Sequence, residues 1–160
     1  MSLLRFFMLL ALVVWMGGLI FFSFVLAPTA FGVLPTRHLA GTVVGRSLGS
    51  LHWMGLVSGV VFLVASLLHN KWSSGVVRPF AILNLLILLM LVLTMVSQFG
   101  ISPRMATLRT SFGDIDTVAP DNPARVQFNA LHQWSTRVEI GVFLLGLVAI
   151  YMTARQFSPG

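Results

Sequence analysis

The chain has 160 residues, 57% of them hydrophobic and only 9% charged, which excludes an ordinary soluble domain, where about a quarter of residues are charged. The net charge of +6 does not point to nucleic acid, because the basic residues flank apolar runs and form no patch. No cysteine is present, so disulfides, thiolate metal sites and S-palmitoylation are excluded.

The apolar residues fall into four runs, each long enough to cross a hydrocarbon layer about 30 Å thick as a helix. The expected fold is all-α: a single transmembrane domain over residues 1–160, built as a four-helix up-down-up-down bundle. Span one covers about 3–27. It is too long for the apolar region of a signal peptide, and Pro28 directly after Ala27 makes a poor cleavage site, so it reads as a retained helix. Pro28 is expected to end it, and Gly17-Gly18 suits close helix packing. Pro35 suits a helix start, and a helical extension from about residue 36 leads into span two, about 48–68. His69 to Gly75 reads as a tight loop. Span three covers about 79–99, with Gly100 to Arg104 as its stop. A polar loop over 101–125 carries Asp114, Asp116 and Asp121, with Gly113, Pro120 and Pro123 as breakers. Span four covers about 126–153.

Both termini then lie on one side of the membrane, here side A, with Arg5, Lys71, Arg78 and Arg155. Side B or its margin carries Arg37, Arg46, Arg104, Arg109, Arg125 and Arg137. Arg5 just before the first span favours cytoplasmic termini and a bacterial inner-membrane location. Trp15, Trp53, Trp72 and Trp134 read as interface anchors. The expected partners are membrane lipid and other membrane subunits.

Helical periodicity collects polar and small residues into stripes. In span two these are Gly45, Gly49, His52, Gly55 and Gly59, continued by Ser66. In span four they are Asn129, His132, Ser135, Glu139, Gly146 and Thr153, and in span three Asn84, Leu91 and Gln98. Such stripes turn inward, because an unsatisfied polar group in hydrocarbon is expensive. Spans two and four start from the same side, so His52 and His132 are expected at similar depth across the bundle diagonal. Three arrangements fit. A hydrogen-bonded network of His52, His132, Ser135, Asn84 and Glu139 fixes helix register. Alternatively, haem b or a metal ion such as copper sits between His52 and His132, with the glycines giving clearance. Alternatively, Glu139 lies in a solute or proton path. A plain ion pair of Glu139 with Arg104 or Arg137 also fits. Asp114 and Asp116 lack the spacing of a calcium loop, and no nucleophile elbow, phosphate loop or zinc-protease helix is present. No catalytic residue is assigned.

Phe31-Gly32-Val33-Leu34-Pro35-Thr36-Arg37-His38, then Leu51-His52, then Ser102-Pro103-Arg104, then Leu131-His132-Gln133-Trp134-Ser135 together resemble the transmembrane-protein-205-like family, which in bacteria appears as a domain of unknown function. The resemblance covers nearly the whole chain. It implies a four-span membrane protein and supplies no reaction, cofactor or catalytic residue. Trp15-Met16-Gly17-Gly18-Leu19-Ile20-Phe21 is similar, more faintly, to copper-resistance D and HemJ-like membrane proteins. The axial histidine those groups imply early in this helix is absent, so His52 and His132 would have to replace it. The functional expectation is an accessory or assembly subunit of a larger membrane complex, with a redox or photosynthetic complex as the candidate. A haem- or metal-binding protein and a small solute or proton transporter are the alternatives.

Overall fold

The computed structural model describes residues 2–76, 79, 81–113 and 115–157. Four helices are long and apolar enough to cross a membrane: α1 (Ser2–Val33), α2 (Arg37–Ser74), α3 (Ile82–Ser111) and α4 (Pro123–Arg155). Each packs against the next, and α1 also meets α4, so the chain closes an up-down-up-down ring. No strand occurs among the described residues. Arg78 and Asp114 lie outside them.

Local chemistry sets the helix ends. Thr36, extended at φ −134° and ψ 149°, caps α2 by accepting a hydrogen bond from the Leu39 N–H at 3.2 Å. Pro35 therefore stands before the cap and not in the first turn. At the other end Gly75 adopts φ 70° and its N–H closes on the Lys71 carbonyl, a left-handed cap that glycine reaches without strain. The helix consequently runs through His69 to Ser74, where a loop was expected.

The helices also outrun the two proline stops. Pro28 does not end α1, nor does Pro103 end α3. A proline lacks the N–H for the carbonyl four residues back and crowds it. Each helix widens into a π-helical turn just before its proline, at Phe22–Leu26 and Val96–Ile101, and then resumes. Ser102–Phe112, expected within the polar loop, is helical. The connection that remains carries one 3-10 turn, Ile115–Thr117.

The four helices contain 32, 38, 30 and 33 residues, or about 45–57 Å at helical rise, against a hydrocarbon core of about 30 Å. The apolar runs all abut side A, so the polar helix ends project on side B. Val13, Val57, Leu88 and Leu144 face outward, as lipid contact demands. Inside, Met8, Leu12, Met16, Phe62, Ile87 and Met90 build a tightly closed core.

The two helical hairpins repeat one pattern. Met8, Leu12, Trp15, Met16 and Leu19 in α1 correspond at one constant offset to Leu83, Ile87, Met90, Leu91 and Thr94 in α3, and all ten are buried. The same offset carries Pro28 onto Pro103 and aligns the two π turns. In the second helices Gly55, Gly59, Phe62 and Ser66 correspond to Val142, Gly146, Ala149 and Thr153, again all buried. That second offset also carries His52 onto Glu139. The bundle is two α-hairpins in parallel that share this pattern of buried positions.

Candidate functional site

His52 and Glu139, equivalent in the two hairpins, meet across the bundle diagonal. His52 is 2% exposed, and its Nε2 lies 2.7 Å from Glu139 Oε1. Its Nδ1 lies 2.9 Å from Gln98 Oε1, and the Ser97 hydroxyl donates to Glu139 Oε1 at 3.2 Å. The π turn of α3 supplies both Ser97 and Gln98. Successive residues of an α-helix point about 100° apart, so one neighbour reaches α2 and the other α4. A widened turn at such a place is a recurrent feature of functional sites.

The arrangement tolerates two placements of one proton. With Nδ1–H donating to Gln98, Nε2 either donates to a Glu139 carboxylate or accepts from a Glu139 carboxylic acid, and every hydrogen bond survives in both. Gln98 can rotate its amide to serve the other imidazole tautomer. The site sits where the apolar core ends toward side B. The twenty-two residues from His52 to Ser74 put it about 33 Å from the side-A end of α2 at helical rise.

A match over residues 10–111 identifies the chain with DUF4149, a domain of unknown function. The chain belongs to this family. The DUF4149 match runs from α1 through α3 and takes in His52, Ser97 and Gln98, while Glu139 stands on α4 beyond it. No curated protein and no solved structure matches the chain. Of the resemblances drawn from the sequence, the bacterial domain of unknown function is the one this DUF4149 match supports.

The expected His52–His132 pair does not form. His132 is exposed on α4, while both ring nitrogens of His52 are already engaged. The physical reason is that the diagonal at the His132 level is filled. Arg109 lies across Gly41 and Gly45 of α2, with its guanidinium carbon 5.5 Å from the Phe128 ring centre on α4. A Cβ at Gly45 would stand 2.7 Å from Arg109 Nη1. The deeper glycines are occupied likewise. A Cβ at Gly55 would meet Trp15 Nε1 at 2.4 Å, one at Gly59 would meet Leu91 Cδ2 at 2.5 Å, and one at Gly49 would touch Gln98 Oε1 at 3.9 Å. The clearance expected for a macrocycle is thus filled by protein side chains, and the residues do not fit a bis-histidine haem or copper site. No group of three or more metal-ligating side chains occurs among the described residues.

Ser135 is buried one turn toward side B from Glu139. Asn84 belongs to a different layer, where its Oδ1 accepts from the Ser66 hydroxyl at 2.8 Å. Arg104 and Asn129 are exposed. Arg137 stacks on Trp134, 5.2 Å from the ring centre, so the partner of Glu139 is His52 and not an arginine. Trp15, expected at an interface, is 2% exposed in the core. Sequence reasoning placed Gln98 on the inner stripe of span three without assigning it to the site, and it missed Ser97, which a regular helix would turn away from that stripe.

Proposed function

We propose that this four-span membrane protein is a small proton-linked transporter in which the His52–Glu139 pair takes up and releases the proton. The observation that carries this reading is the 2.7 Å contact between a fully buried imidazole and an intramembrane carboxylate contributed by opposite hairpins. Ionisable groups in membrane spans are costly, face the bundle interior and commonly form proton relays. Parallel repeats with a binding site at their interface are a recurring transporter plan. His52 and Glu139 exchange the proton, Gln98 orients the ring, and Ser97 holds the carboxylate. In proteoliposomes with an imposed pH gradient, Glu139→Gln and His52→Ala should abolish proton flux while the fold persists. Unchanged flux in both variants would reject the proposal.

The accessory-subunit reading draws on the projecting side-B ends, where Phe31, Val33 and Val126 are exposed beyond the longest apolar runs. It requires a co-purifying membrane partner in mild detergent, and a lone 17.5 kDa species would count against it. We place the protein in the bacterial inner membrane with cytoplasmic termini, on the strength of Arg5 ahead of α1. Active alkaline phosphatase fused to the C-terminus would reverse that orientation.

A further inference from the structure

The diagonal carries a second polar layer near side A. The fourteen residues from His52 to Ser66 and from Glu139 to Thr153 make nearly four turns and rise about 21 Å, so Ser66 and Thr153 keep the inward faces of their helices. Ser97 to Asn84 covers a similar distance on α3. Ser66, Asn84 and Thr153 are all buried, Thr153 completely. The Ser66 hydroxyl donates to Asn84, but Thr153 Oγ1 is buried with no hydrogen-bond partner. A helical threonine usually satisfies itself on the carbonyl four residues back. Thr94 and Thr136 of this chain do so, at 2.9 and 3.0 Å, and Thr153 does not. One turn further out on α2, His69 Nδ1 is also buried and unpaired. Two orphaned buried polar atoms and a hydroxyl–amide pair on the same half of the bundle are groups of the kind that internal water satisfies.

We infer that Ser66, Asn84 and Thr153 form a water-binding station on the side-A half of the bundle, opening past His69 and separated from the His52–Glu139 pair by a dry apolar plug. The plug is the layer of Met16, Phe62, Met90, Leu91 and Ala149, with Gly59 and Gly146 letting it close. The station rests on the proton-transport reading for its purpose, as the site from which a proton leaves toward side A. Its existence rests on the unpaired hydroxyl alone.

The chain has no cysteine, so a single introduced thiol reports hydration directly. Thr153→Cys and Ser66→Cys should react with a small cationic methanethiosulfonate added on side A at least tenfold faster than Ala149→Cys, one turn deeper in the plug. Circular dichroism and gel filtration select folded variants, and either thiol suffices if the other variant fails to fold. Rates at 153 and 66 no faster than at 149 would overturn the station. Labelling at 153 in a protein that carries no proton flux overturns the transport reading and not the station. A protein with flux but no labelling does the reverse.

Discussion

Removing both members of the His52–Glu139 pair should destabilise the bundle no more than removing one. In Glu139→Leu, His52 Nε2 stays buried at 2% exposure and loses its 2.7 Å partner, and the Ser97 hydroxyl loses its acceptor. Breaking a buried pair in this way costs about 3–5 kcal/mol, and the 16% exposure of Glu139 places this one at the lower end. His52→Leu leaves the carboxylate with only Ser97 and strands Gln98, with a similar cost. The double variant retains two new orphans, the Gln98 amide and the Ser97 hydroxyl, at about 1–2 kcal/mol each. The double-mutant cycle therefore predicts a coupling energy of about 2–4 kcal/mol. Thermal unfolding of the four proteins in one detergent, with reversible transitions, measures it. If the double variant loses the sum of the two single losses, the two side chains do not stabilise each other and the argument fails.

His132→Ala should change stability by less than about 0.5 kcal/mol and leave proton flux intact, since His132 is exposed; His52→Ala in the same assays should do neither. Gly55→Ala should cost about 1–3 kcal/mol, because its Cβ would meet the rigid Trp15 indole at 2.4 Å, and a shifted tryptophan emission should accompany the loss. Gly17→Ala, with nothing within 4 Å of the new Cβ, should be neutral or stabilising in the same thermal assay. Thr36→Ala removes the cap of α2 and should cost about 1 kcal/mol, with faster hydrogen exchange confined to the amides just after it.

The four crossings were legible because long apolar runs have few other solutions. The side-B ends of α1 and α3 were not, because each extension lies around or beyond a proline and reads as a stop or a loop, whereas the helical extension of α2 from about residue 36 was. Pro28 and Pro103 misled for a related reason: a proline forbids one hydrogen bond, and a π turn accommodates that loss without ending the helix. His52 and Glu139 were readable from the spacing of the α2 and α4 stripes, although Asn129 and His132 of the α4 stripe are exposed. What spacing does not supply is which side chain fills each level of the diagonal. Arg109, from a segment read as loop, takes the level at which His132 was expected, and Trp15 takes the space beside Gly55. The repeat between hairpins left little mark in residue identity, and emerges only when buried positions are compared.

The repeated hairpin pattern also bears on assembly. Two copies of the first hairpin, docked face to face, would set imidazole against imidazole, and two copies of the second would oppose carboxylates. Only the union of unlike halves gives each ring an acid to bond. Mutual selection of this kind disfavours pairing of like hairpins between neighbours in a crowded membrane.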